Sequence, residues 1–393
     1  MTISVIIPAY TMDRWDTLVG AVRSCEKQTL EPDQIIVVID YNDELLARAT
    51  EAFPRVRVVA NQSTKGVSGA RNTAVAVAAG TIIACLDDDA YAEADWLEKL
   101  TSPMADPNVV GVGGWILPHW PGGVPDWFPE TFYWILGCSY AGLPETNSVI
   151  RNAIGANMAI RRKVFESVGG FAEGIGRLNL IPLGCEETEI AIRYTAAFPN
   201  ERFVMNREAV VHQVVPASRL TWHYFWSRCW SEGLSKAAVA YLVGFDSGLS
   251  AERRHLVRAI PLEFARTLRR VFTRPRNAVF RLGLLIVGTT CAALGFSWGK
   301  LAVRQTPMEF TPRNLKDLTS AMLSGQNQNS TSADKQAIVD ILVHEVLDVA
   351  SMDDDSNAGK GEDTPSRPLR NETVADNGDS VVEGENAGSE DIR

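Results

Sequence analysis

The sequence predicts an α/β fold in which helices cover both faces of a mostly parallel central sheet. Two observations support this prediction. Four apolar, β-branched runs of strand length alternate with helix-like stretches through residues 3–87, as parallel strands joined by crossover helices require. Polar or turn-forming residues follow several of these runs, at the sheet edge where α/β proteins bind their ligands.

The predicted elements follow one another regularly. The four strands are the runs ISVIIPAY, QIIVVID, VRVVAN and TIIACLD, at 3–10, 34–40, 56–61 and 81–87. The helix-like stretches between them lie at 14–28, 43–52 and 67–79. Strands that are apolar almost throughout are typical of a sheet that is buried on both faces.

Residues 81–90 read TIIACLDDDA, so the fourth predicted strand ends directly on Asp87, Asp88 and Asp89. Carboxylates at this position offer hard oxygen ligands at the ligand-binding edge of the sheet. The arrangement suits a divalent cation that holds a diphosphate. A solvated acidic turn is the alternative, because aspartate is common where strands end.

Seven motifs occur in order along the chain. They are SVIIPAY at 4–10, VVID at 37–40, GVSGARN at 66–72, LDDDA at 86–90, GANMAIRR at 155–162, GGF at 169–171 and GCEETEIAIR at 184–193. In this order they make the chain resemble the inverting family 2 glycosyltransferases, which have the GT-A fold of nucleotide-diphospho-sugar transferases. The resemblance implies one catalytic domain over 1–240.

The resemblance further implies a site for a nucleoside-diphosphate sugar, with uridine as the favoured base. It places Pro8, Ala9 and Tyr10 against the base, where a phenol ring offers a stacking face. Asp40 would accept a hydrogen bond from a ring N–H of the base. Arg71, near a helix start that favours anions, would contact the diphosphate or the base. An ordinary strand-end tyrosine and a surface arginine are the alternatives.

Within the acidic triplet, the family pattern D-x-D falls on Asp87 and Asp89. By resemblance Asp87 contacts the ribose or the base, Asp88 lies in the donor site without a defined role, and Asp89 holds a divalent cation. Carboxylate ligation suits Mn²⁺ and Mg²⁺ alike. His212 follows a β-branched run and is a candidate further metal ligand, although a lone strand histidine is more often structural.

The motif GCEETEIAIR supplies the catalytic candidate. Glu187 stands where the family usually has an aspartate. By resemblance Glu187 is the general base that takes the proton from the acceptor hydroxyl. The alternative is an acidic first turn that stabilises a helix N-terminus.

Three residues are candidates for contacts with the donor or acceptor sugar: Asn157, Glu186 and Trp115. Asn157 belongs to the strand that faces the acceptor in the family, and a plain turn residue is the alternative. Trp115 belongs to an aromatic, Gly- and Pro-rich stretch whose rings would stack on a sugar or lipid, or else pack locally. The segment WSRCW at 226–230 lacks the glutamine of the processive-synthase motif Q-x-x-R-W, which favours transfer of a single sugar.

Composition narrows the classes of function. The chain has 393 residues, 46% of them hydrophobic, and six cysteines without C-x-x-C spacing. These cysteines, and the lack of a signal-peptide pattern, predict a cytoplasmic protein with reduced thiols. Most of the formal net charge of −10 comes from 351–393. The remainder is nearly neutral, so nucleic acid is not expected as a partner.

The region 241–324 is predicted to be a helical appendage at the inner face of the cytoplasmic membrane. Residues 253–276 contain eight arginines and one acid, and the seventeen residues 282–298 carry no charge. A span needs about 20 apolar residues, so an interfacial helix or shallow hairpin on anionic lipid is favoured. A buried core helix is the alternative. Membrane association would favour a lipid-linked acceptor.

The segment 325–393 is predicted to contain a linker, a short amphipathic helix at 334–350 and an acidic, disordered tail. Two other functions stay open. A nucleotidyltransferase is expected to carry a Gly-rich phosphate loop after the first strand, where AYTMDRWDT at 9–17 has no glycine. A non-catalytic sugar-binding protein would have a decayed metal site, whereas the acidic residues are intact here.

Overall fold

The computed structural model describes residues 1–123, 125, 127–173, 185–243, 259–270 and 275–305. Within them, one mixed sheet has hydrophobic cores and helices on both faces. The predicted α/β fold is thereby confirmed. The predicted linker, short helix and acidic tail of 325–393 lie outside the described residues.

The sheet has nine strands in the described part of the chain. They are β1 Ile3–Ala9, β2 Gln34–Ile39, β3 Arg57–Ala60, β4 Ile82–Leu86, β5 Ala90–Ala92, β6 Val109–His119, β7 Val149–Ile150, β8 Asn157–Arg161 and β9 Arg202–Val214. Their order is β3-β2-β1-β4-β8-β6-β9-β5, and β7 pairs with β9 outside this path. The four strands predicted from the sequence are β1 to β4, and they form the parallel half of the sheet.

The other half of the sheet mixes directions. β8 runs antiparallel to both β4 and β6, whereas β9 runs parallel to β6 and antiparallel to β5 and β7. The sheet is therefore parallel on the side that carries Asp40 and mixed beyond β4. Asp87 to Asp89 lie at the junction, directly after β4.

Nine α-helices are described on the two faces of the sheet and beyond it. They are α1 Trp15–Glu26, α2 Asp43–Ala52, α3 Val67–Val77, α4 Trp96–Thr101, α5 Arg162–Val168, α6 Glu186–Ala197, α7 Trp222–Val243, α8 Ile260–Arg270 and α9 Pro275–Gln305. The first three confirm the helices predicted between the strands. α2 begins where it does because the Asn42 side chain accepts a hydrogen bond from the Leu45 N–H at 3.0 Å, a typical N-cap.

Side chains alternate between the two cores, as the period of two in a strand requires. On β1, Val5 shares one core with Ile3 and Ile7, while Ile6 points into the other. The first core lies under α1, α2 and α4, and the second under α3, α5 and α6. Burial on both faces explains why these strands read as continuous apolar runs.

The aromatic stretch after β6 packs internally. Phe128 and Phe132 are buried, and their ring centroids lie 5.9 and 5.3 Å from that of Phe225 on α7. Trp127 meets Phe280 of α9 edge-on, with centroids 5.5 Å apart. Local packing, the alternative to stacking on a sugar or lipid, therefore accounts for these rings.

Helices α7 and α9 lie side by side at short range because glycines occupy their contact. A Cβ atom at Gly233 of α7 would lie 2.3 Å from the carbonyl oxygen of Ala292 on α9. A Cβ atom at Gly295 of α9 would lie 2.4 Å from the carbonyl oxygen of Trp230 on α7. Backbones that approach this closely leave the two helices little freedom to move apart or slide.

Asn157, predicted to contact a sugar, joins several parts of the core instead. Its Oδ1 accepts from Nε1 of Trp96 at 2.8 Å, and its amide nitrogen donates to the carbonyl oxygens of Trp115 and Ala209 at 3.0 and 2.9 Å. These bonds connect β8 to α4, β6 and β9. The side chain is 0% exposed. The predicted sugar contact of Asn157 is therefore wrong, because no part of its amide faces solvent.

We expect Asn157→Ala to lower the free energy of unfolding by roughly 2–4 kcal/mol, because it leaves three buried groups without their hydrogen-bond partner. Urea denaturation followed by circular dichroism measures this loss. Asn108→Ala at an exposed position is the control, with an expected change within about 0.5 kcal/mol. An Asn157→Ala protein as stable as the wild type would contradict the structural role.

Candidate active site

The carboxyl ends of β1, β2 and β4 meet at one edge of the sheet, because these strands are parallel neighbours. Tyr10, Asp40 and Asp87 are the first residues after these strands. Tyr10 is 44% exposed, whereas Ala9 is buried in the core and Pro8 is partly buried in β1. Of the three residues predicted to meet the base, Tyr10 offers the open side-chain surface.

Asp40 is 8% exposed and already accepts two hydrogen bonds. Its Oδ1 accepts from Nδ2 of Asn61 at 2.7 Å, and its Oδ2 accepts from the backbone N–H of Gly66 at 2.9 Å. Burial raises the pKa of Asp40, and the two hydrogen bonds oppose this rise. Each carboxylate oxygen has a second lone pair, so the predicted hydrogen bond from a base N–H is compatible with this geometry.

Arg71 of α3 connects two parts of the site. Its Nη2 lies 3.1 Å from Oδ1 of Asp87, and its Nη1 lies 2.6 Å from Oε1 of Glu186 at the start of α6. The side chain is 3% exposed, so the surface-arginine alternative is wrong. The guanidinium fits because residue 155 is a glycine, where a Cβ atom would lie 2.6 Å from Nη2. The strand end with the aspartates and the helix start with the glutamates therefore border one site.

Asp88 and Asp89 are held by arginines. Arg14 places Nη1 2.7 Å from Oδ1 of Asp88 and Nη2 3.2 Å from Oδ2 of Asp89. Arg219, which follows β9, reaches the same Oδ2 of Asp89 at 2.8 Å, and Gln213 donates to its Oδ1. Asp88 and Asp89 are 3% and 5% exposed. The solvated-turn alternative is therefore wrong for these two residues.

The two acids of this network differ in how well they are satisfied. Burial raises the pKa of Asp88 to about 7, against the opposing effect of the Arg14 charge. Among the residues that the structure describes, Oδ2 of Asp88 has no hydrogen-bond partner. Burial lowers the pKa of Arg14, but the attraction of Asp88 and Asp89 outweighs this and raises it overall. Arg14 therefore stays charged, while Asp88 can exchange a proton near neutral pH.

Asp87 is the carboxylate of the triplet that fits a divalent cation best. Its side chain is 33% exposed, against 4% for Asp88 and 7% for Asp89. Mg²⁺ in nucleotide-dependent enzymes needs only one or two carboxylates together with substrate phosphates, so one partly exposed carboxylate such as that of Asp87 is compatible with that requirement. Within the described ranges, no group of three His, Cys, Asp or Glu side chains converges as a set of metal ligands.

His212 does not join Asp89. On β9 it pairs with Tyr91 of β5, stacks on the Tyr91 ring at 4.9 Å, and places Nε2 3.0 Å from Oε1 of Glu93. Its neighbour on the strand, Gln213, contacts Asp89 instead. Successive side chains on a strand point to opposite faces, so His212 faces away from Asp89. The predicted metal pair of Asp89 and His212 does not exist in this geometry.

Glu187 lies in the first turn of α6, next to Glu186, and is partly buried. Burial, and after it the charge of Glu186, raises the pKa of Glu187 from its ordinary 4.5 to about 8, while Arg71 lowers it. A carboxyl group that titrates near neutrality is suited to proton transfer.

The last acid of the same motif has a structural partner. Glu189 is buried and lies 2.6 Å from Nε of Arg193, which also donates to the carbonyl oxygens of Val168 and Gly170. This ion pair fixes the GGF turn against α6.

Trp115 is partly buried and covered on one face by the guanidinium of Arg207, 4.5 Å from its ring centroid, so its contact with a sugar stays a prediction.

Sequence reasoning misses Arg14, Gln213 and Arg219. Arg14 ends a short 3-10 helix after β1, four residues beyond Tyr10. Its place just after a strand of the parallel half is the signal that could have revealed it, because ligands bind at that edge of the sheet. Gln213 and Arg219 are separated from Asp89 by 124 and 130 positions, so no local pattern indicates their contacts.

The sequence is similar to those of known glycosyltransferases. Residues 4–169 match the family described as Glycosyl transferase family 2. The chain is 29% identical over 306 residues to the glucosyl-dolichyl phosphate glucuronosyltransferase of Haloferax volcanii, which covers 77% of this chain and 97% of that protein. It is 32% identical over 109 residues to the UDP-Glc:alpha-D-GlcNAc-diphosphoundecaprenol beta-1,3-glucosyltransferase WfgD of Escherichia coli, covering 27% and 42%.

Similarity to solved structures is weaker. The crystal structure of S. aureus TarS, residues 1–349, has a TM-score of 0.40 and 14% identity, with 78% of this chain and 92% of TarS covered. A similarity of this size supports no conclusion about the site.

The raised pKa of Glu187 predicts a pH-dependent stability. Between pH 4.5 and about 8, folded Glu187 keeps a proton that the unfolded chain releases, so its contribution to stability decreases as the pH rises through this window. We expect Glu187→Gln, which cannot ionise, to match the wild-type Tm below pH 4.5 and to exceed it above pH 8. Scanning fluorimetry over this range measures the difference.

The exposed Glu166 on α5 provides the matched control, because Glu166→Gln is expected to differ from the wild type by the same small amount at every pH in the window. If the Tm difference between Glu187→Gln and the wild type were independent of pH, the raised pKa of Glu187 would be wrong.

Proposed function

We propose that the chain, whose residues 4–169 match Glycosyl transferase family 2, moves one sugar from a nucleoside-diphosphate sugar to an acceptor hydroxyl with inversion. The observation that carries this proposal is the Arg71 bridge. It joins Asp87, on the side predicted to bind the donor, to Glu186, the neighbour of the candidate base. Donor and nucleophile need such a common site, because the reacting atoms have to meet within about 3.5 Å.

The donor lies along the carboxyl edge of the parallel strands in this proposal. Its base, which we take to be uracil, stacks on the exposed ring of Tyr10 and donates its ring N–H to Asp40. The ribose and diphosphate extend toward Asp87. Arg14 is 21% exposed, lies beside Tyr10, and supplies positive charge near the diphosphate. Arg71 orients Asp87 and Glu186 rather than contacting the donor, because it is nearly inaccessible.

Glu187 acts as the general base of a single displacement. The acceptor hydroxyl gives its proton to the Glu187 carboxylate while its oxygen forms a bond to the anomeric carbon. The bond from that carbon to the diphosphate oxygen breaks, and its electron pair leaves with the nucleoside diphosphate. Attack from the face opposite the leaving group inverts the configuration. Arg71 keeps the pKa of Glu187 from rising further, which maintains a usable fraction of carboxylate.

A divalent cation, Mn²⁺ or Mg²⁺, would neutralise the charge that develops on the departing diphosphate. We propose Asp87 as its protein ligand, in place of the Asp89 and His212 expected from the sequence. Asp89 instead fixes Arg14 and Arg219 in position, since both of its oxygens accept from these side chains or from Gln213.

The acceptor that we propose is a lipid-linked sugar. The two relatives are named for glucosyl-dolichyl phosphate and for alpha-D-GlcNAc-diphosphoundecaprenol, and the chain spans 97% of the first. Both acceptors carry a sugar on a long apolar chain through phosphate. An acceptor of this class is confined to a membrane, and we propose that the reaction takes place at its cytoplasmic face.

We expect Glu187→Gln to lower kcat by roughly 100- to 10,000-fold, because the amide cannot take a proton. Binding of the donor is expected to persist. A panel of UDP-sugars screened by thermal shift identifies the donor, and transfer of its labelled sugar to a polyprenyl-phosphate-linked acceptor measures turnover.

Glu166→Gln is again the control and is expected to transfer sugar at the wild-type rate. Full turnover by Glu187→Gln would remove this residue from the mechanism. Absence of a thermal shift with every UDP-sugar tested would contradict the proposed donor class.

We expect EDTA to abolish transfer and Mn²⁺ or Mg²⁺ to restore it. If Asp87 holds the cation, Asp87→Asn should raise the cation concentration for half-maximal activity by about tenfold or more. Asp89→Asn should lower stability with little change in that concentration, because Asp89 binds arginines. The reverse pattern would return the metal-ligand role to Asp89.

A further inference from the structure

Exposed apolar side chains are concentrated on α8 and α9, far along the chain from the candidate active-site motifs. Six of them are each more than half exposed: Leu262, Leu268, Val279, Ile286, Leu294 and Leu301. Large apolar side chains that stay in contact with water at this density mark a surface that binds a partner or a membrane.

On α9 these side chains form one continuous stripe. Val279, Ile286, Leu294 and Leu301 follow one another at intervals of seven or eight residues, which keeps them on the same side of an α-helix. The other side of α9 is buried, with Leu284 and Leu285 in the core and the glycines against α7. α9 is thus attached along one side and apolar along the other.

By length and composition alone, Asn277–Leu301 could cross a membrane, and 22% of its most apolar window is buried. The neighbouring helix argues against a crossing. α7 lies against α9 and carries Arg228, Glu232 and Lys236, which form i,i+4 ion pairs of 3.2 and 3.3 Å. A transmembrane α9 would draw these charges into the hydrocarbon region, where each is costly.

α7 is also fixed to the catalytic domain. Its Val239 is fully buried against Ile192 and Cys185 of the α6 region. An α9 that spanned the bilayer would therefore have to separate from α7, although their backbones are in close contact through Gly233 and Gly295. An orientation along the membrane surface keeps every one of these contacts.

The arginines beside the exposed apolar side chains indicate what kind of surface this part of the protein binds. On α8, the exposed Arg266 and Arg269 alternate with the exposed Leu262 and Leu268. α8 is tied to α9 by the buried Glu263, whose Oε1 lies 3.3 Å from Nη2 of Arg281. Apolar side chains beside arginines are typical of helices that lie in the interface of a bilayer with anionic lipids.

We infer that the exposed sides of α8 and α9, here called the docking face, bind a bilayer surface that contains anionic lipid, with α9 parallel to the membrane plane and not across it. This inference rests on the proposed function for its purpose, since a lipid-linked acceptor would share that surface. The binding itself requires neither donor nor acceptor.

Flotation of the full-length protein with vesicles tests the docking face. We expect flotation with phosphatidylcholine vesicles that contain phosphatidylglycerol, weaker flotation with phosphatidylcholine alone, and release by alkaline carbonate. Ile286→Glu/Leu294→Glu should abolish flotation with both. Arg266→Glu/Arg269→Glu should reduce partition to the anionic vesicles by about tenfold or more and leave the neutral ones unchanged.

Val149→Glu is the matched control, because Val149 on β7 is 62% exposed and lies outside the docking face. It should float like the wild type. Only variants whose Tm matches that of the wild type are compared. If Ile286→Glu/Leu294→Glu misfolds, Arg266→Glu/Arg269→Glu still tests the inference, because it removes no apolar surface.

The inference would be overturned if the wild type did not float with either kind of vesicle, or if alkaline carbonate failed to release it, as for a protein that spans the bilayer. It would also be overturned if the wild type were a dimer and Ile286→Glu/Leu294→Glu converted it to a monomer that still floats, because the exposed side of α9 would then be a dimer interface. Sugar transfer in detergent separates this inference from the proposed function. The docking-face variants should retain that activity. Absence of transfer by the wild type would count against the proposed function alone, and the flotation result would still decide whether the docking face binds membranes.

Discussion

One buried guanidinium holds the candidate active site together. Arg71 lies between Asp87 at the end of β4 and Glu186 at the start of α6. The pair with Glu186 forms where water is nearly excluded, whereas the side chain of Asp87 is 33% exposed. Such pairs contribute more to a defined geometry than to net stability, because desolvation offsets most of the attraction. Loss of the arginine would leave two acids facing each other without a counter-charge. The pKa of the neighbouring Glu187 would rise as well, since Arg71 is among the groups that lower it.

The acidic triplet shows how strongly the surroundings differentiate identical residues. Asp87 is one-third exposed, Asp88 has a buried oxygen without a partner in the described structure, and Asp89 accepts from two arginines and a glutamine. Asp88 and Asp89 share Arg14, but only Asp89 is also bound by Arg219 and Gln213, while Asp87 pairs with Arg71. An acid that already binds two guanidinium groups is a poor metal ligand, whereas an acid with an accessible oxygen is a good one.

The first half of the fold was predictable because its information is local. Apolar runs separated by helical periods predict β1 to β4 and α1 to α3, and the strand ends then meet by geometry. The mixed half depends on pairings between distant segments, such as β9 with β6, β5 and β7, which no short pattern contains. The same limit applies to the site. The motifs suggest Glu187 and Asp40, whose roles stay predictions. The errors at Asn157 and His212 concern the side of the strand from which a residue projects, and Arg219 comes from far along the sequence.

The glycine contact between α7 and α9 makes one stiff unit of the helices beneath the catalytic domain. α6, which carries Glu187, packs on α7 through Ile192 and Val239, and α7 packs on α9. With α9 resting on the lipid surface, Glu187 would stand at a constant height above the headgroups. The reactive hydroxyl of a lipid-linked acceptor would then have to lie at the same distance from the membrane surface. Selection of the acceptor would therefore depend on how far its glycan extends from the membrane, and so on the length of the glycan, as much as on the identity of its last sugar.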